Sequence, residues 1–137
     1  MIKKLISIGL LGGFLWLSAT IADAQTATAT FETKRKSGYT LSIAFTLKNG
    51  KVQSVSVDEW TPVNKSFHER GVEGARGDGD STWTDKGSTT SIERDGSSVS
   101  ITKRGGGFLV TTDWSDVQVL FTKTGAKYVG KILSGKT

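Results

Sequence analysis

The feature that most constrains the fold of this chain is a strict alternation of apolar and small polar residues, YTLSIAFTL, over residues 39–47. Successive side chains of a β-strand point to opposite faces of the sheet. The apolar side chains of this segment therefore share one face, and they are Tyr39, Leu41, Ile43, Phe45 and Leu47. We expect a strand with one face in the core and the other near solvent.

The dipeptide Asn49-Gly50 follows this strand and precedes VQSVSV, which predicts a β-hairpin. A two-residue turn would leave Val55 and Val57 on the polar face. A three-residue turn with a bulge sets Val55 against Ile43 and brings both valines to the apolar face. The sequence favours the bulged turn, with Gly50 in the left-handed conformation.

Further alternating segments recur about every eight to ten residues, separated by turn signals such as DGS and RGGG. They predict strands over residues 28–34, 89–94, 98–103, 108–113, 117–122 and 126–132. This spacing is typical of a single antiparallel meander domain. We expect an all-β small barrel or sandwich of about seven to eight strands.

The connection over residues 61–86 departs from this spacing. Pro62 is expected to end the strand before it, and residues 64–70 predict one or two helical turns with Asn64 as the cap. Residues 71–83 are rich in glycine and poor in apolar side chains, which indicates a long mobile loop.

The N-terminal residues have the pattern of a secretory signal peptide. Lys3 and Lys4 precede an apolar stretch that ends near Leu17, and residues 22–24 form an A-x-A cleavage site. The apolar stretch is shorter than the ~20 residues that a spanning helix needs, which disfavours an uncleaved anchor. We predict a signal peptide over residues 1–24 and one secreted β-domain over residues 25–137.

The sequence contains no cysteine, so neither a disulfide nor a lipid-modified cysteine is possible. This composition favours the periplasm or the medium of a bacterium.

Lys and Arg exceed Asp and Glu by 18 to 13, and the cations are scattered along the sequence. A basic surface favours a protein or an anionic envelope component as partner, and no nucleic-acid motif is present.

Residues 130–137, GKILSGKT, match the phosphate-binding pattern G-x-x-x-x-G-K-[ST]. That pattern binds phosphate only when a helix begins after Lys136 and directs its N-terminus at the ligand. No segment remains for such a helix. We therefore expect neither nucleotide binding nor any other cofactor.

Catalytic and metal-binding residues are sparse. His68 is the only histidine, no G-x-S-x-G nucleophile motif occurs, and Asp58-Glu59 are adjacent on a strand and so point to opposite faces. Asp78, Asp80 and Asp85 lack the glycine and the final glutamate of an EF-hand loop. The sequence predicts a protein that is not an enzyme and holds no metal.

The predicted partner-binding residues fall into three groups. Trp60 and Trp83 lie beside predicted loops, where tryptophan often anchors a partner. Arg76, Asp78 and Asp80 form the tip of the glycine-rich loop and contain the adhesion tripeptide Arg-Gly-Asp. Long loops are frequent sites of function, so this loop is a candidate surface.

The third group comes from a short resemblance. The segment TGAKY over residues 124–128 is similar to the S-G-x-x-Y loop by which bacterial periplasmic lysozyme inhibitors enter their target enzyme. The likeness covers five residues, has Thr124 in place of serine, and implies a binding role for Lys127 and Tyr128.

We expect a binding protein for another protein, of the inhibitor or immunity type. The alternative is a β-barrel carrier of an apolar ligand, with an open interior lined by Tyr39, Leu41 and Phe45.

Overall fold

The computed structural model describes residues 25–135, which form ten strands and no helix. The strands are β1 (Thr26–Lys34), β2 (Thr40–Lys48), β3 (Lys51–Val63), β4 (Ser66–Ala75), β5 (Thr82–Lys86), β6 (Thr89–Arg94), β7 (Ser97–Arg104), β8 (Gly107–Thr112), β9 (Gln118–Thr124) and β10 (Lys127–Ser134). The predicted signal peptide and Lys136 lie outside the described residues. Within residues 25–135, no helix is long and apolar enough to cross a membrane.

All ten strands belong to one sheet in the order β4-β3-β2-β1-β10-β9-β8-β7-β6-β5. Neighbouring strands are antiparallel except β1 and β10, which pair in parallel through Tyr128 and Ala29. The sheet curls into a half-barrel, so the fold is a mixed sheet and not a purely antiparallel meander. The all-β prediction is confirmed.

The predicted number of seven to eight strands is wrong, because β4 and β5 lie in the segment that was expected to be irregular. In β4 only Val72 is fully buried, opposite Val57 of β3, and most other side chains are exposed. Backbone pairing with β3, and not apolar alternation, stabilises this edge strand. The long loop of residues 71–83 is reduced to residues 76–81.

The β3–β4 hairpin replaces the expected helical turns. Asn64 adopts φ of 57° in a two-residue turn with Lys65, and β3 continues past Pro62 to Val63. Proline has no N–H group to donate to a neighbouring strand. The pairing of β3 with β2 ends at Trp60, so no β2 residue lies opposite Pro62 and no hydrogen bond is lost there.

The β2–β3 hairpin uses a two-residue turn, with φ of 54° at Asn49 and 77° at Gly50. The positive φ of Gly50 is confirmed, but the three-residue turn is wrong. A bulge at Gln53 shifts the register instead, so that Val55 lies opposite Phe45 on the apolar face.

The core lies on the concave face of the sheet, and aromatic side chains fill its centre. Phe45 makes edge-to-face contacts with Phe121 at 5.0 Å and with Phe108 at 5.8 Å between ring centroids. The void that Leu41, Val110 and Val119 line has a volume of only about 10 Å³. Leu41, Val110 and Val119 therefore pack closely in this part of the described core.

The alternating strand directions create two ends of the half-barrel, which we call upper and lower. The upper end carries the turns near residues 35–39, 64–65, 95–96 and 113–117. The lower end carries the turns near residues 49–50, 87–88, 105–106 and 125–126, and residues 76–81 lead from the lower end of β4 back to the start of β5. Side chains join β4 to the far half of the sheet, with Arg94 Nη1 donating to the Glu73 carbonyl at 2.8 Å.

Candidate functional site

Three exposed apolar residues lie together on the β3–β4 hairpin at the upper end. Trp60, Val63 and Phe67 are 40%, 36% and 51% exposed; Trp60 and Phe67 share one face of the hairpin, and we call these two residues the upper aromatic patch, whereas Val63 lies on the other face. The rings of Trp60 and Phe67 meet edge to face, with 6.5 Å between their centroids. Trp60 Nε1 donates to Asp58 Oδ2 at 3.0 Å, which holds the indole in place. The patch therefore presents two large rings in a fixed arrangement.

A cleft of about 620 Å³ opens on the opposite face of this hairpin. Its rim includes Pro62 and Val63, so the upper aromatic patch and the cleft share the tip of the hairpin. Its walls are formed mainly by Tyr39, Glu59, His68, Arg70, Trp114 and Asp116. The cleft thus combines aromatic rings with charges of both signs.

The floor of the cleft is a buried carboxylate. Glu59 is only 5% exposed; its Oε1 accepts a hydrogen bond from Trp114 Nε1 at 2.7 Å, and its Oε2 accepts one from the Tyr39 hydroxyl. Burial, and then the hydrogen bond to Glu59, raise the pKa of Tyr39 above its usual range. Tyr39 therefore stays a donor, and the three side chains form a fixed hydrogen-bonded group.

Arg70 forms the cationic wall of the cleft. It is the cross-strand partner of Glu59, its guanidinium lies 5.6 Å from the centre of the Trp114 ring, and its Nη2 donates to Ser97 Oγ at 3.0 Å. A guanidinium stacked on an indole keeps its orientation while remaining available to a partner's carboxylate. His68 lies exposed on the same wall, in agreement with its predicted surface position.

The predicted site residues of the glycine-rich loop form a separate network at the lower end. Arg76 donates to both carboxylate oxygens of Asp85, at 2.7 and 2.8 Å, and its Nε donates to the Val52 carbonyl at 2.6 Å. Its guanidinium also lies 4.7 Å from the centre of the Trp83 ring. The hydrogen bonds from Arg76 and Thr90 lower the pKa of Asp85 to about 2. Arg76 thus ties the loop to β3 and β5.

Asp78 closes the same loop. Its carboxylate accepts hydrogen bonds from the backbone amides of Ala75, Asp80 and Ser81 at 2.9 to 3.0 Å, which holds its pKa well below the usual range. The loop is therefore shorter than predicted, and Arg76 and Asp78 bind it from within. Asp80 remains exposed. Residues 25–135 contain no group of three potential metal ligands.

The residues of the inhibitor-like segment lie at the β9–β10 turn, also at the lower end. Lys127 is exposed, whereas the Tyr128 ring is half-buried and packs on Phe108 with 5.3 Å between centroids. The structure thus brings six of the predicted site residues to the lower end, namely Arg76, Asp78, Asp80, Trp83, Lys127 and Tyr128. It places Trp60 alone at the upper end.

Sequence reasoning missed most of the upper site. Phe67 lies in a segment that was expected to be helical, and Glu59 was considered only as a candidate catalytic carboxylate. One signal was available, because Glu59 continues the inward series of Val55 and Val57 and is therefore an acid at a core position. The prediction that Asp58 and Glu59 point to opposite faces is confirmed.

Comparison of the chain with protein-family models, curated proteins and solved structures finds no match. A function is therefore inferred from the residues of the cleft and of the upper aromatic patch.

Proposed function

We propose that this chain is an exported, non-enzymatic binding protein of the bacterial envelope, of the inhibitor or immunity type, and that its partner is another protein. One observation carries the proposal: Trp60 and Phe67 are about half exposed and lie side by side on a hairpin tip. Aromatic residues in such positions dominate the energetics of protein interfaces.

The patch is large enough to anchor a partner. A tryptophan or phenylalanine side chain buries roughly 150 to 250 Å² when it is covered, so the exposed half of each ring amounts to about 100 Å². Covering that area contributes about 2.5 kcal/mol for each ring. A partner that covers both rings gains much of the energy that a few central residues supply in known interfaces.

The cleft on the other face of the same hairpin supplies specificity. A loop of the partner can enter it and meet the guanidinium of Arg70 on one wall and Asp116 at the rim. Because Tyr39 and Trp114 already satisfy both oxygens of Glu59, this acid serves as a rigid floor and not as a general base. This arrangement supports binding and not catalysis.

The carrier alternative requires an open apolar interior. Phe45, Phe108 and Phe121 occupy the centre of the half-barrel, and Tyr39 and Leu41 are only 3% exposed. The filled interior therefore favours a protein-binding module over a ligand carrier.

The proposal is tested by co-purification from the envelope fraction of the native cells. We expect a partner to co-purify with the wild-type chain and to be lost when Trp60→Ser and Phe67→Ser are combined. The matched control combines Val129→Ser and Leu133→Ser, two exposed apolar residues of β10 that are 54% and 46% exposed. Loss of the partner in the control, or its retention in the Trp60/Phe67 variant, would contradict the proposal.

A further inference from the structure

Cations that are scattered along the sequence converge at the lower end of the half-barrel. Four hairpins meet there, those between β2 and β3, β5 and β6, β7 and β8, and β9 and β10. Each carries one or two lysines where its strands end, namely Lys48, Lys51, Lys86, Lys103, Lys123 and Lys127. Arg104 adds a further cation, and we call these seven residues the lower basic rim.

The hairpins of the rim are close to one another and their cations face solvent. All seven side chains are exposed, and a Cβ atom built on Gly50 would lie 4.0 Å from Lys103 Nζ. Within residues 25–135, Lys51 is the only rim residue within 4.0 Å of a carboxylate, at 3.9 Å from Asp85. Asp85 is already bound by Arg76, so the rim is largely uncompensated.

We infer that the lower basic rim is a docking surface for the anionic phospholipid headgroups of a membrane. Lysine ammonium groups on flexible stems act as point charges, which suits a diffuse layer of headgroups better than a single fixed phosphate. Within residues 25–135, neither Tyr128, half-buried against Phe108, nor Trp83, half-buried beside the Arg76 guanidinium, offers the rim an open platform for nucleotide bases.

The position of the chain start also indicates a membrane. The Gln25 carbonyl accepts a hydrogen bond from the Asn49 amide at 2.8 Å, so the first described residue lies within the rim. Residues 1–24, which we predict to be the apolar export signal, immediately precede it. The lower basic rim is therefore the part of the folded domain nearest to the predicted export signal, and the upper aromatic patch lies at the opposite end.

This inference rests on the predicted export of the chain and not on the identity of the upper partner. For the test, the protein is purified from the envelope of cells that express the full chain. It is then sedimented with phosphatidylcholine vesicles that either contain or lack phosphatidylglycerol. We expect binding only to the anionic vesicles, and its loss at high salt.

The decisive variant combines Lys48→Gln, Lys103→Gln, Lys123→Gln and Lys127→Gln. Each lysine near an anionic surface contributes about a five-fold gain in affinity at low salt, so we expect the four changes to weaken binding by at least ~100-fold. The matched control removes four exposed cations of the upper end with Lys34→Gln, Arg35→Gln, Lys36→Gln and Lys65→Gln, and should retain binding within about ten-fold.

Equal losses in both variants would show that net charge alone matters and would overturn the inference. Binding to a soluble polyanion such as polyphosphate without binding to anionic vesicles would overturn the lipid assignment. Because the vesicles contain no protein partner, neither result depends on the proposed function of the upper end.

Discussion

Removal of the buried carboxylate of Glu59 tests whether its hydrogen bonds stabilise the upper cleft, and the free energy of unfolding is the quantity that reports it. In Glu59→Ala, the hydroxyl of Tyr39 and the indole N–H of Trp114 lose their acceptors. A hydrogen bond to a charged group contributes about 1.5 to 3 kcal/mol, and a buried unpaired donor has a comparable cost. Trp114 is only partly buried, so water can replace part of its bond. We therefore expect Glu59→Ala to destabilise the fold by about 3 to 4 kcal/mol.

Glu59→Gln separates the hydrogen bonds from the charge. The amide oxygen of glutamine can still accept from Trp114, and the Tyr39 hydroxyl can rotate to accept from the amide group. We expect this variant to lose only about 1 kcal/mol. Glu32→Ala removes an exposed glutamate of β1 and should change stability by less than about 0.5 kcal/mol, which makes it the matched control.

The assay is urea unfolding followed by circular dichroism. With a slope of about 1.5 kcal/mol per molar urea, the alanine variant should unfold at a midpoint about 2 M lower than the wild type. If Glu59→Ala unfolds at the same urea concentration as Glu59→Gln or Glu32→Ala, the hydrogen-bonded group does not stabilise the cleft.

Three further predictions concern the rest of the half-barrel. Arg76→Ala should destabilise the fold by about 2 kcal/mol, because it removes three hydrogen bonds that fix the loop, and an unchanged urea midpoint would contradict this. Gly50→Val should cost about 1 kcal/mol or more, since φ of 77° strains a β-branched residue; a variant as stable as the wild type would show that the turn relaxes freely. The pKa of Tyr39 is higher in the folded chain than the value of about 10 in the unfolded chain. Its contribution to stability is therefore complete below pH ~10 and declines as the pH rises further. Stability of Tyr39→Phe should therefore fall less above pH ~10 than that of the wild type, and equal losses in thermal scans would refute the assignment.

The alternation of apolar and polar residues predicted the strands that bury one face. It did not predict strands that are stabilised by backbone pairing and bury few side chains. The segment predicted over residues 89–94 coincides with β6, because Ile92 and the neighbouring residues alternate between core and solvent. In contrast, β4 buries little beyond Val72 and depends on backbone pairing with β3, to which a two-residue turn joins it. A pattern of side chains carries no information about such pairing.

The candidate surfaces were harder to predict because they depend on which turns share an end of the sheet. Trp60 could be selected from the sequence as an aromatic at a strand end, but Phe67 becomes its neighbour only through the β3–β4 hairpin. Likewise, Gly50 and Lys103 lie far apart in the sequence and approach each other only because their hairpins share the lower end. Arg76 and Asp78 show the opposite failure, since their polar side chains were taken as free although they bind the loop itself.

Site-specific photo-crosslinking in cells tests most directly the central claim that the upper aromatic patch binds a protein. A photoreactive phenylalanine analogue at position 67 should form one discrete adduct with an envelope protein, because the Phe67 ring lies in the proposed interface and is about half exposed. The same analogue at position 129, which is as exposed but lies on β10, should form none. An adduct from position 129 and none from position 67 would contradict the account.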